Sequence, residues 1–282
     1  MKRLVLNTLT PHSSPHKLWI LIQFELSKFF STSKGLWSII LFVVLWGLSL
    51  SYLINDAATT VYDPSFRAFI SGLLGGHRVG GWFAWPLAQL AVCWLIVLYL
   101  FPMLVIFTSN DMFTTDKHNK TLRFLLIRAS REQIFFSRIL SHLIIIFIFA
   151  LVAVVSCLVV TIINQPDQWL TALTNSGYIL TNVIIISAPF TALMALVSLA
   201  ANSAKQAGII AMLLLTLANL LVIMLTNYIP SLAVLSYVIP GVQLSDMIAQ
   251  HGAATFSLSA IPIIQTLVLL ALGNYWLKRS QL

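Results

Sequence analysis

Apolar residues in this chain come in long runs rather than in stripes. Six stretches, residues 36–54, 85–107, 139–163, 179–200, 207–226 and 258–277, contain no Asp, Glu, Lys or Arg. Each is close to the roughly 20 apolar residues a helix needs to cross a hydrocarbon core. In lipid the backbone must satisfy its own hydrogen bonds, so such runs form helices rather than open strands. The pattern predicts an all-α integral membrane protein with six transmembrane helices.

The polar breaks between the runs carry their own structure. Before the first run, Trp19, Ile22, Leu26, Phe29 and Phe30 recur at helical spacing, with Gln23, Glu25 and Lys28 among them. That predicts an interfacial helix. Between the first two runs, Asp63 can cap a helix, Pro64 suits its first position, and Gly75-Gly76 can end it. Residues 227–257 are apolar, but Pro230, Pro240 and Gly241 cut them into pieces too short to cross. They read as broken re-entrant or outer-leaflet helices before the last span. The expected organisation is a cytoplasmic N-terminal segment, 1–35, and one six-span transmembrane domain, 36–282. That domain includes a loop at 108–138 and an outer segment at 227–257.

Composition agrees with this class. The chain is 59% hydrophobic and 9% charged, against about 25% charged in soluble domains. With the N-terminus inside, fourteen of the sixteen Lys and Arg residues fall in cytoplasmic segments, and only Arg67 and Arg78 fall outside. The positive-inside rule therefore accounts for the net charge of +8 and places both termini in the cytoplasm. A nucleic-acid partner is not needed to explain it. Cys93 and Cys157 both sit in apolar runs and read as small core residues. The first long run follows no short apolar core with a small-residue cleavage pattern, so no cleaved leader is expected.

Several chemistries lack their residues. There is no GxxxxGK[ST] phosphate loop, so the chain is not expected to hydrolyse ATP by that route, and no HExxH. Pro15 spoils a helical metal pair of His12 and His16, and no metal site is expected. Asn110, Asp111 and Asp116 lack the spacing and the second acidic cluster of a Mg²⁺-diphosphate site in a membrane transferase. Within the spans only His142 is ionisable, which disfavours ion-coupled transport. Uncharged polar residues, Ser187, Thr191 and Asn219 among them, either line a path or hydrogen-bond neighbouring helices.

The densest charge lies in residues 111–138, with nine of the chain's twenty-four charged residues. Asn119 can cap a short helix through Thr121, Leu122, Arg123, Phe124, Leu125, Leu126 and Ile127. Ser130 and Gln133 then form a capping box that opens a helix running on through Arg138. A solvated loop has no need of that leucine-rich centre. Its partner is the protein's own helices, the bilayer surface, or another protein.

The stretch from Asp116 to Arg138 resembles the signature of type-2, exporter-type ABC transporter permeases. It is most similar to the gliding-motility and nitrous-oxide-reductase-maturation branch. Asp116, Thr121-Leu122, Leu125-Leu126, Ser130-Arg131 and Arg138 carry the resemblance. Lys120 stands where that pattern has glycine, Ala129 near its proline, and Arg138 for its lysine. The resemblance implies a second permease chain, homo- or heterodimeric, and a separate ATPase that binds ATP and Mg. This chain itself would hold no cofactor. Thr121–Ile127 would be the coupling helix, with Thr121, Leu122, Arg123, Leu125, Leu126, Arg128 and Arg131 at the ATPase. Ser203 and Lys205, in the 203–206 turn, would make a second, smaller contact. The segment with Pro230, Pro240 and Gly241 would be the outer gate. The expected function is that of an exporter subunit in a bacterial inner membrane. Alternatives are a non-transporting anchor that passes mechanical work to extracytoplasmic proteins and, further off, an intramembrane transferase.

Overall fold

The computed structural model describes residues 15–61, 63–74, 80–121, 125, 127 and 129–279. They are almost all helical, with no strand among them. Six helices are long and apolar enough to cross a membrane. Span one is Ser33–Ser49, continued by a π turn at Leu50–Ile54. Spans two to six are Ala88–Ser109, Arg131–Asn164, Trp169–Ala200, Ala204–Tyr228 and Ala260–Arg279. The chain is an all-α integral membrane protein, as its apolar runs predict.

Spans three and four outgrow their apolar runs. Span three has 34 residues, about 50 Å at 1.5 Å per residue, against a hydrocarbon core of about 30 Å. Its first two turns, residues 131–138, lie ahead of the apolar run. The predicted capping box starts it: Gln133 N donates to Ser130 Oγ at 3.2 Å, and Ser130 N to Gln133 Oε1 at 3.0 Å. Span four begins ten residues ahead of its run. The polar side chains there return their hydrogen bonds to the helix, Thr174 Oγ1 to Leu170 O and Asn175 Nδ2 to Thr171 O. Polar groups satisfied this way do not break a helix.

Spans two and four are mostly buried and form the core, whereas the sides of spans one, five and six are mostly exposed. Phe42 of span one stacks on Phe149 of span three, with centroids 4.7 Å apart. Trp46 Nε1 donates to Ser156 Oγ at 2.8 Å. Span six crosses span three at Gly273, where an added Cβ would lie 2.5 Å from Phe135 Cζ. Pro102 and Pro189 each sit inside a continuous helix.

The N-terminal helix, Pro15–Ser31, packs along the base of span three. Ile22 is buried, and Leu26 and Phe29 pack on the core. Trp19, Ile20 and Phe24 face outward. One face of this amphipathic helix is thus committed to the protein itself. The predicted helix between spans one and two is present as Pro64–Leu74. Ser65 N donates to Asp63 Oδ1 at 2.7 Å, and Gly75 and Gly76 lie outside the described residues. Between spans five and six the chain forms three short pieces, Pro230–Val238, Leu244–Met247 and Gly252–Leu258. Pro240 is buried, and Gly241 takes φ +95°, open to a residue without a Cβ.

Candidate functional site

At one end of the bundle the N-terminal helix, the end of span two and the base of span three meet in a cluster of charges. Its centre is Arg138, 1% exposed. The capped helix of span three carries Arg138 inward, two turns past Ser130. Its Nε donates to Glu25 Oε1 at 3.1 Å, its Nη1 to Met112 O at 2.6 Å, and its Nη2 to Asp116. The guanidinium also lies over the Phe113 ring, 4.8 Å from the centroid. Each face of the fork has a partner, which is how a buried guanidinium is tolerated.

Asp116 is shared among three elements. Lys28 of the N-terminal helix lies 3.4 Å from its carboxylate, and Thr121 Oγ1 donates to Asp116 Oδ1 at 2.9 Å. Beside it, Lys34 pairs with Asp111 at 2.7 Å and with Asn110. His142 Nδ1 meets Ser109 Oγ at 3.4 Å. A cavity of about 50 Å³ between these groups is lined by Glu25, Lys28, Lys34, Asp111, Arg138 and His142.

The same loop also holds the ends of two further helices. Lys117 Nζ donates to Leu199 O at 2.9 Å and Ala201 O at 3.2 Å, capping span four. Arg131 Nη1 donates to Leu277 O at 3.1 Å near the end of span six. A cation at a helix C-terminus satisfies orphan carbonyls and complements the helix dipole.

The leucine-rich centre divides. Leu125 packs against a small core of Met112, Phe113, Phe135 and Leu199, among others. Ile127 is 80% exposed. Leu122, Arg123, Phe124, Leu126 and Arg128 lie outside the described residues. Leu125 N bonds Thr121 O and Ala129 N bonds Leu125 O, in helical spacing. Asn119 does not start this turn; it ends the helix before it, Thr114–His118. The reason is Lys120, whose φ of +57° is left-handed and stops that helix. This is the position where the exporter pattern has glycine, the residue that takes positive φ without strain.

Ser203 and Lys205 are exposed at the turn between spans four and five, and Ser203 Oγ caps span five through Gln206 N at 3.2 Å. An open groove of about 200 Å³ joins this turn to the loop, lined by Thr114, Thr115, His118, Asn119, Asn202 and Ser203. Ser187 and Thr191 are buried one turn apart on span four. Asn219 is half-buried on span five, its amide turned back to Leu215 O.

At the opposite end, residues 230–258 are held to the bundle by neutral side chains. Trp85 Nε1 donates to Gln250 O at 3.3 Å and Trp94 Nε1 to Met247 O at 3.1 Å. Asn182 Nδ2 donates to Thr255 Oγ1 at 2.8 Å, and Gln265 Nε2 to Tyr237 O at 2.8 Å and Ile239 O at 3.0 Å.

Sequence reasoning singled out the loop but not its partners. By local spacing Glu25 and Lys28 only interrupt an apolar face, and Lys117 only adds positive-inside charge. A usable signal was present: Glu25, Asp111, Asp116 and Glu132 are half of the chain's eight acids, all gathered where the positive-inside rule calls for none.

The geometry defines a multi-pass membrane protein with a fastened, charged loop at one end and a broken segment at the other. Residues 19–282 match the model of the ABC-2 family transporter protein, and the chain belongs to that family. It is accordingly a transmembrane permease subunit of an ABC transporter, a class that works with a separate ATPase. No curated protein matches the chain.

Proposed function

We propose that this chain is the permease of an ATP-driven exporter in a bacterial inner membrane, with both termini cytoplasmic. It pairs with a second permease chain and with a separate ATPase that carries ATP and Mg²⁺. The loop 108–138 is the coupling element, and residues 230–258 close the exit on the other side. The acid, Thr-Leu, Leu-Leu and Ser-Arg pattern from Asp116 to Arg131 supports a reading within the gliding-motility and nitrous-oxide-reductase-maturation branch.

One observation carries the coupling assignment. Through Asp116, Lys117, Arg131 and Arg138 the loop is tied to the N-terminal helix and to spans three, four and six. A push on it therefore reaches most of the bundle. Its contacts to the ATPase are the exposed Ile127 and, by their place in the sequence pattern, Leu122, Arg123, Leu126 and Arg128, with Ser203 and Lys205 in the turn between spans four and five. Leu125 holds the loop to the permease itself.

The test is co-purification of the ATPase with Ile127→Asp. The exposed site leaves the fold intact, so the melting temperature stays within a degree or two while ATPase recovery falls at least tenfold. Normal recovery with both Ile127→Asp and Lys205→Glu would overturn the coupling assignment.

A further inference from the structure

Span four carries a line of hydroxyls that neither the coupling loop nor the caps use. Ser176, Ser187, Thr191 and Ser198 are spaced by 11, 4 and 7 residues. At 3.6 residues per turn they fall within an arc of about 60°. They extend over about 33 Å of helix, from the polar first turns of span four into its apolar run. All four are buried. Asn175 and Asn182 occupy a different face, the one that meets residues 252–259.

Thr191 Oγ1 donates back to Ser187 O and Ser198 Oγ to Ala195 O, each at 3.0 Å, whereas Ser176 Oγ and Ser187 Oγ have no hydrogen-bond partner among the described residues. Close by, Gly241 lies against the ring of Phe190, one turn from Ser187. Two residues further on, Gln243 is 1% exposed, and neither its amide oxygen nor its nitrogen is paired. Gln89 Oε1 at the start of span two is also unpaired. Native interiors leave few such groups unsatisfied, and each costs free energy in this conformation. Thr114, Gln265 and Asn274 carry further unpaired atoms elsewhere in the bundle; the pair on span four, with the amide of Gln243 in the segment that meets this helix at Phe190, is what a closed path for polar cargo would leave behind.

The charge pattern selects the cargo. Among the described residues the buried charged side chains are Asp116 and Arg138, both at the loop end. Among the described residues every buried side-chain group left unpaired is neutral, a hydroxyl or an amide. An amide or hydroxyl on a cargo molecule can pair with these groups and recover most of its lost hydration. An ion would find no counter-charge, and its desolvation cost is far larger.

We propose that the hydroxyl face of span four, with Gln243 in the segment that meets the helix at Phe190, is the cargo path of this protein and takes neutral hydrogen-bonding groups rather than ions. The proposal rests on the transporter reading above and adds the route and the class of cargo.

The test uses the full chain in lipid nanodiscs, with Cys93→Ala and Cys157→Ala as background. Ser187→Cys changes one atom and leaves packing intact. Ala192→Cys, equally buried on another face of the same helix, is the control. Each is alkylated with iodoacetamide, a neutral amide, and with iodoacetate, its charged counterpart, with rates normalised to free cysteine. Ser187→Cys is expected to react with iodoacetamide at least tenfold faster than Ala192→Cys, and at least tenfold faster than with iodoacetate. Equal slow rates at both positions would show that the hydroxyls only pack, and equal rates with both reagents would show a path that admits ions. Either result overturns the proposal. Because the ATPase takes no part in the labelling, a failure of coupling is seen separately, in the co-purification.

Discussion

The two ends of the bundle are held by different chemistry. At the loop end Arg138 is locked between Glu25 and Asp116, and Lys117 and Arg131 cap the ends of spans four and six. At the other end Trp85, Trp94, Asn182 and Gln265 hold residues 230–258 by neutral hydrogen bonds, three of the four to backbone carbonyls. A buried charge cannot leave its partner without stranding both, whereas a neutral hydrogen bond lost to water is largely replaced. The first end suits a part that must move as one body with whatever grips it. The second suits a segment that opens and closes many times.

The sharpest way to break this comparison is Arg138→Met. It leaves Asp116 and Glu25 without their shared guanidinium and is expected to cost roughly 3–5 kcal/mol, read as thermal unfolding of the solubilised protein. Arg138→Lys should recover part of this, since a single ammonium nitrogen cannot reach acceptors set for the three separate nitrogens of the planar fork. Wild-type stability in Arg138→Met would mean that the loop end is no stiffer than the other.

Asn182→Leu probes the neutral end. Its expected cost is smaller, about 1–3 kcal/mol, and amide hydrogen exchange should quicken in residues 252–259 while the loop end keeps its protection. Exchange quickening at both ends together would show that the two do not move independently.

The smallest effect is expected at Lys120, where a side chain sits in the left-handed region. Lys120→Gly should raise stability by about 1 kcal/mol by removing that strain. A loss of stability instead would show that the lysine side chain contributes more than its backbone costs.

Much of this architecture was legible from local pattern. Apolar runs placed the six spans, Ser130 and Gln133 placed the start of span three, and Asp63-Pro64 placed a helix between spans one and two. Span four escaped at its start because its first ten residues look polar, although their side chains bond back to their own helix. Asn119 was misplaced as a helix start because a left-handed lysine has no clear sequence signature.

The sequence by itself determined what depends on neighbours a few residues away: the crossing helices, their caps, and the concentration of charge in one loop. Tertiary structure alone decided which charges meet. Glu25 and Arg138 are 113 residues apart, and no local spacing relates them. It also decided that Leu125 turns inward while Ile127, two residues on, faces out. Periodicity, capping and hydropathy act along the chain, but an ion pair or a buried face exists only once separate helices have packed.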